Sequence, residues 1–161
     1  MHKALARAII EDLRHRGESL SVAESLTGGG LGAAITGIPG SSDVFLGGVI
    51  AYQSSVKQQI LKVPKSLIDE FGVVSEEVAV AMAEGSRKLF NSTWAISTTG
   101  VAGPGPSEGV EAGTVWVAIR GPINQSTALA IAGEREEVRN ACLSSAITAF
   151  ARILATGKRQ R

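Results

Sequence analysis

Hydrophobic positions along this chain switch between helical and strand periods. Leu5, Ala8, Ile9 and Leu13 recur at helical spacing, and Gly17 is a natural stop. Residues 20–23 form a short apolar run of the buried-strand type. Thr27 to about Ile35 reads as a helix in spite of its glycines, which let it pack closely. Residues 46–52 predict the next strand, 56–61 a short helix, and Pro64 opens a further helical turn through Ile68. Ser75 is a candidate N-cap, with Glu76 and Glu77 in the first turn and an apolar face at Val78, Met82 and Leu89. Residues 93–99 read as a strand, 100–113 as a long loop rich in glycine and proline, and 114–119 with 126–131 as a hairpin pair. A last helix runs from about Glu134 to Leu154, with Val138, Cys142, Ala146, Ala149 and Ile153 on one face. No repeat or linker interrupts this order. It predicts an α/β fold, a three-layer α/β/α arrangement around a mixed sheet, as a single domain over residues 1–161.

Composition narrows the function classes. At 44% hydrophobic and 19% charged residues the chain is of the folded, globular type, and its formal net charge of +1 gives no field for nucleic acid. The one basic cluster, Lys158-Arg159-Arg161, lies in a tail at about 156–161 and reads as solvated. No apolar run approaches the roughly 20 residues that span a bilayer. The start, Met1-His2-Lys3-Ala4, leads into an amphipathic pattern carrying acids and not into a secretory signal. Neither a nucleic-acid nor a membrane partner is expected. A lone cysteine, Cys142, within an apolar helical stripe excludes an internal disulfide framework and fits a reducing, cytoplasmic setting. His2 and His15 are the only histidines, and no Cys-x-x-Cys, His-Glu-x-x-His or aspartate-rich loop is present, so neither metal nor cofactor is expected.

Candidate chemistry starts at Val22-Ala23-Glu24-Ser25-Leu26-Thr27-Gly28-Gly29-Gly30. Ser25 stands at a turn between a strand and a helix, beside backbone N–H groups able to hold a phosphate or an oxyanion. The geometry is that of a nucleophile elbow without its Gly-x-Ser-x-Gly spelling. Serine and glycine turns also occur without any chemistry. His15 is poorly placed as a base, which leaves lysine or tyrosine. Tyr52 and Lys57 lie at a strand end running into a helix, where both can turn toward one cleft, or stand as a buried tyrosine and a solvated lysine. A lysine base needs its pKa to fall by roughly 3 units, about 4 kcal/mol, which burial can supply and a surface position cannot. Ser54-Ser55-Val56-Lys57 also spells Ser-x-x-Lys, but the companion motifs Ser-Asp-Asn and Lys-Thr-Gly are absent, so Ser54 is a minor competitor to Ser25. The Thr98–Gly105 stretch ends another strand and suits either close anion or sugar contact or an ordinary loop. Arg135 and Arg139 open the last helix, as a phosphate clamp or as a solvated pair.

Ala23-Glu24-Ser25-x-Thr27-Gly28-Gly29, Pro39-Gly40-Ser41-Ser42, Tyr52-x4-Lys57, Gly72-x-Val74-Ser75, Thr99-Gly100-x-Ala102-Gly103-Pro104, Gly113-Thr114-Val115 and Gly133-x-Arg135-x-x-Val138-Arg139 occur in this order. The series resembles the CinA C-terminal domain family, whose active members are nicotinamide-nucleotide amidohydrolases. That resemblance implies a cofactor- and metal-free serine amidase acting on a pyridine nucleotide, nicotinamide mononucleotide, to give nicotinate mononucleotide and ammonia. It also implies a three-layer α/β/α fold and a homo-oligomer. Residue by residue, it implies Ser25 as nucleophile, Lys57 as base and Tyr52 in support. It implies Ser41 and Ser42 as lining; Thr27, Gly28 and Gly29 are expected to bind substrate, with backbone N–H groups at the start of the Gly28-Gly29 helix as oxyanion donors. A loop with Thr99, Gly100, Ala102 and Gly103 would meet the nucleotide, and Arg139, with Arg135 as second candidate, the phosphate. Gln53-Ser54-Ser55 departs from the asparagine-containing stretch often seen after the tyrosine, and Leu26 replaces a usual cysteine. The nucleotide-hydrolase domain of longer CinA proteins has no counterpart in these residues. A domain that senses nucleotide or binds a partner without turnover, and an amidase for another pyridine or nucleotide amide, are the alternatives.

Overall fold

A computed structural model describes residues 2–157; Lys158, Arg159 and Arg161 lie outside the described residues. In chain order the elements are α1 (His2–Arg16), β1 (Leu20–Glu24), α2 (Gly30–Thr36), a 3-10 turn (Ser41–Asp43), β2 (Phe45–Ile50), α3 (Ser54–Gln59), α4 (Lys65–Phe71), α5 (Glu76–Phe90), β3 (Trp94–Gly100), β4 (Thr114–Arg120), β5 (Gln125–Ala130) and α6 (Arg135–Gly157). The sheet order is β2-β1-β3-β4-β5. β1 is parallel to both neighbours, pairing Glu24 with Ile50 on one side and with Thr98 on the other. β3, β4 and β5 follow antiparallel, so the sheet is mixed, as the order of periods predicts.

Period-2 alternation along β1 sorts the layers. Leu20 and Val22 face α1, α2 and α6, among Ile9, Leu13, Leu31 and Phe150. Ala23 faces the other way, among Leu61, Val78 and Met82. α5 lies on a floor of small residues, Ala95 and Ala118 in the sheet against Ala79 and Ala83 of the helix. Buried hydroxyls in this layer are partnered: Ser21 Oγ is 2.8 Å from both Ser86 Oγ and Ser92 Oγ, and Ser86 Oγ donates to the Val22 carbonyl. The connection from β1 to β2 carries α2 on one face, and that from β2 to β3 carries α3, α4 and α5 on the other. Such a reversal opens a crevice beyond the carboxyl end of β1.

Three elements differ from the sequence reading. The helix expected from Thr27 begins at Gly30, because Gly28 and Gly29 have φ of 58° and 96°, left-handed values that a helix cannot contain. β2 ends at Ile50 and leaves Tyr52 outside the strand. Leu89 is 52% exposed. The buried face of α5 runs through Val78, Ala79, Met82, Ala83 and Ser86, and in the last turn it is Phe90 that reaches the sheet, over Gly47. Cys142 is buried as expected, with burial pushing its thiol up to about 12. Among the described residues no helix is long and apolar enough to cross a membrane.

The close approach of α5 to the chain leaving α3 gives a test of the packing. A Cβ on Gly85 would stand 2.0 Å from the Leu61 carbonyl oxygen, a backbone atom that cannot swing aside. Helix propensity alone would make Gly85→Ala stabilising by about 1 kcal/mol. Overpacking should win, lowering stability by about 1–3 kcal/mol, seen as a lower urea midpoint at unchanged m-value. A raised midpoint would show that this contact does not limit the packing.

Candidate active site

Strand alternation carries past the end of β1. The ladder continues where the Ser25 N–H donates to the Thr98 carbonyl and the Ala51 N–H to the Glu24 carbonyl. Glu24 therefore turns toward α2 and Ser25 toward the opposite layer. The Glu24 side chain is buried, 1% exposed, and its carboxylate accepts from the N–H groups of Gly29 at 3.1 Å, Leu31 at 2.9 Å and Gly32 at 2.8 Å. Those donors are the orphan N–H groups of the α2 start, so the acid caps the helix and fixes the turn that holds Ser25. On the carbonyl side of the same turn, Arg139 Nε donates to Leu26 O at 2.9 Å and its Nη2 to Thr27 O at 3.3 Å.

Lys57 projects from α3 into the same layer and is 2% exposed. Its Nζ donates to Ser25 Oγ at 3.0 Å, to the Ala51 carbonyl at 2.6 Å and to the Tyr52 carbonyl at 3.2 Å. Burial pushes the ammonium down from 10.5 to about 8, against an opposing pull from the Glu108 carboxylate. A neutral amine has N–H donors for both carbonyls and a lone pair left for the serine hydroxyl. This is the arrangement of an activated nucleophile and its base. Ser54 lines the same cleft, but the lysine bonds Ser25 and not Ser54.

Ser25 and Lys57 form the floor of a cleft of about 500 Å³, walled by Tyr52, Arg135 and the 99–110 segment. Tyr52 is 55% exposed and its hydroxyl accepts from Arg135 Nη2 at 3.0 Å. Support for Lys57 thus comes from the Tyr52 carbonyl, while the phenol stands at the rim. Arg135 Nη1 also donates to the Gly103 carbonyl at 2.6 Å, tying α6 to the loop. Thr99 lines the cleft with its hydroxyl donating to Val73 O, and Gly100, Ala102 and Gly103 line it with backbone.

Several expected residues are placed elsewhere. Ser41 and Ser42 lie before β2, at the end of the sheet remote from Ser25, because they precede a strand parallel to β1. Arg14 holds that corner, on Asp43 at 2.8 Å and the Gly40 carbonyl at 3.1 Å. The Thr27 hydroxyl is buried on Thr98 Oγ1 at 2.8 Å. Gly28 N–H donates to Ser25 O and Gly29 N–H to Glu24, so neither is free for an oxyanion. Among the described residues the Leu26 N–H has no hydrogen-bond partner, and Leu26 lines the cleft beside Ser25. Arg139 spends its guanidinium on the turn's carbonyls, whereas Arg135 reaches the cleft, which reverses the expected order of the two arginines. Glu24 and Glu108 escaped the sequence reading. A lone acid between a buried strand and a glycine-rich turn was the available signal for Glu24.

Comparison with known proteins gives one consistent answer. The family model for the CinA C-terminal domain matches residues 2–154. A CinA-like protein of Synechococcus sp. (strain RCC307) is 52% identical over 120 residues, covering 74% of this chain and 29% of that protein, so the chain spans under a third of this relative's length. A CinA superfamily protein from Klebsiella pneumoniae superposes with a TM-score of 0.93 at 29% identity, over 97% of this chain and 99% of that one. The competence/damage inducible protein CihA from Agrobacterium tumefaciens gives 0.90 at 32% identity, over 96% and 95%.

The buried lysine sets a pH dependence of stability. Lys57 titrates near 10.5 when unfolded and near 8 when folded, so between these values the unfolded state binds more protons and stability rises with pH. The contribution is complete above the upper value and lost as pH falls through the lower, on the order of 3 kcal/mol. Lys57→Met removes it. Denaturant unfolding at about pH 7 and about pH 10 should show wild type gaining on the variant by that order, and a constant difference would refute the burial cost.

Proposed function

The chain belongs to the CinA C-terminal domain family, and we propose that it is a metal-independent serine amidohydrolase converting nicotinamide mononucleotide to nicotinate mononucleotide and ammonia. The observation that carries this reading is the 3.0 Å contact between Lys57 Nζ and Ser25 Oγ in a site closed to water on the lysine side. A domain that only binds nucleotide has no need of a desolvated lysine on a serine hydroxyl.

In the proposed reaction the neutral Lys57 amine takes the Ser25 hydroxyl proton as Oγ forms a bond to the carboxamide carbon. The carbonyl π pair moves to oxygen, for which the Leu26 N–H, on a residue lining the cleft beside Ser25, is the proposed backbone donor. The tetrahedral intermediate collapses, the C–N bond breaks, and the lysine proton passes to nitrogen, which leaves as ammonia. Water then attacks the ester, giving its proton to Lys57. The amine returns it to Ser25 Oγ as the C–O bond of the acyl-enzyme breaks and nicotinate mononucleotide departs. Arg135 at the rim is the cation for the phosphate, since it lines the cleft and its bonds to the Gly103 carbonyl and the Tyr52 hydroxyl leave further N–H donors on the guanidinium.

Ammonia release from nicotinamide mononucleotide, with chelator present, is the test. Wild type should turn over, and Ser25→Ala should lose at least about 1,000-fold in kcat. Lys57→Arg should be equally inactive, since a guanidinium cannot serve as base at neutral pH. The acidic limb of kcat/KM should rise through about 8, the folded value for Lys57. Chelator-sensitive turnover, or full activity in Lys57→Arg, would overturn the serine–lysine mechanism. Nucleotide binding without ammonia release would leave a binding domain, and release from a different amide alone would move the substrate.

A further inference from the structure

The cleft contains one carboxylate that the proposed reaction does not use. Glu108 lines the same cavity as Ser25 and Lys57 and, among the described residues, is the only acidic side chain that does so. It sits at the tip of a small hairpin in which the Ser107 N–H donates to Val110 O and the Val110 N–H to Ser107 O, both at 2.9 Å. The turn is of the two-residue kind with both central residues left-handed, Glu108 at φ 48° and Gly109 at 77°. Asparagine, aspartate or glycine is favoured at the first of those places, so a glutamate there is not explained by the turn. Nor is it explained by an ion pair. Glu108 is not a member of the ion pairs Arg14–Asp43, Lys65–Asp69 and Arg87–Glu84.

The cationic side chains sharing the cleft are Lys57 and Arg135. Arg135 holds Gly103 and Tyr52 at the rim and is the cation proposed above for the phosphate, so it is not the partner of Glu108. Lys57 must shed its charge to act as a base, and that leaves the carboxylate facing a neutral floor. A substrate that brings its own positive charge restores the balance. A nicotinamide ring carrying ribose on its nitrogen is a pyridinium cation, while its dihydropyridine form has the same carboxamide and no charge.

We propose that Glu108 is a specificity residue of this site, whose carboxylate meets the positive charge of a pyridinium carboxamide and so selects the oxidised ring over its neutral, reduced counterpart. The proposal rests on the amidase reading for the orientation of the ring, with the carboxamide at Ser25. Ring binding has a second consequence. The incoming cation screens Glu108 from Lys57 and adds positive charge near the amine, so the substrate itself favours the neutral, basic form of the lysine.

Binding to the Ser25→Ala protein separates this from turnover. Titration with nicotinamide mononucleotide and with its 1,4-dihydropyridine form should show tighter binding of the oxidised ring by about fivefold, the scale of a partly exposed ion pair. Adding Glu108→Gln should bring the two affinities together while the denaturation midpoint stays unchanged. In the active protein, Glu108→Gln should move the acidic limb of kcat/KM below about 8, because the carboxylate is what holds Lys57 up. Equal affinities in Ser25→Ala, or a preference that survives Glu108→Gln, would overturn the Glu108 proposal and leave the amidase reading standing. Discriminating binding with no ammonia release from wild type would overturn the amidase reading and keep the charge selection. Binding of neither ring form would overturn both.

Discussion

Everything at this site depends on how the chain turns after β1, and that turn is held by a charge on each side. The Glu24 carboxylate takes the N–H groups of Gly29, Leu31 and Gly32, and Arg139 takes the carbonyls of Leu26 and Thr27. Charge-assisted hydrogen bonds of this kind are roughly twice as strong as neutral ones, and they satisfy backbone groups that a buried turn would otherwise leave without partners. The cost of burying Glu24 is met by its donors, since a carboxylate with several N–H partners at a helix start is the favourable place for one. Because neighbouring residues of an extended chain point to opposite faces, fixing Glu24 on the α2 side fixes Ser25 on the other. The position of Ser25 follows from its neighbour's hydrogen bonds.

Lys57 depends on the same sheet edge from the other direction. Its Nζ is anchored by the carbonyls of Ala51 and Tyr52, in the stretch where the chain leaves β2 for α3. The Ala51 N–H is in turn bonded to the Glu24 carbonyl. Ser25 and Lys57 are therefore linked through main chain, Glu24 to Ala51 to Lys57, with no mobile side chain between them. Such a link suits a pair that must keep hydrogen-bond reach while one member changes charge. Helix α3 has only six residues and contributes little stability of its own. The lysine it carries is instead held by packing of Val56, Leu61 and Val63 around Ala23 and Met82.

How much of this was legible in the sequence follows from the range of each interaction. The sheet and its layers were written in local periodicity, and the family in an ordered set of short motifs. Ser25 and Lys57 stood out through their residue types and the scarcity of histidine. What local pattern could not carry was the side of the sheet on which a segment falls. Ser41 and Ser42 were expected as lining through the family resemblance, yet they precede a strand parallel to β1 and so lie at the end of the sheet remote from Ser25. Arg135 and Arg139 are one helical turn apart, and a turn is enough to send one into the cleft and the other beneath it. Gly28 and Gly29 offered N–H groups on paper, but Glu24 and Ser25 had already engaged them.

The place of the site also follows from topology. β1 lies between two parallel strands, and the connections that make them so run over opposite faces of the sheet. Right-handed crossovers leaving in opposite directions must separate in this way, and the gap they leave is at the carboxyl end of β1. Among the stretches that meet there are the Ser25 turn, the Tyr52–Lys57 stretch, the end of β3 and the start of α6. Each brings a different chemical type, a hydroxyl, an amine, main-chain groups and a guanidinium. The hairpin bearing Glu108 belongs to the connection from β3 to β4, where the sheet changes from parallel to antiparallel. That segment has no crossover helix to lay down, so its length is free to fold over the cleft. Glu108, the one acid that lines this cleft among the described residues, is thus carried by a segment outside the sheet ladder, where a loop can vary without disturbing the rigid elements that hold Ser25 and Lys57.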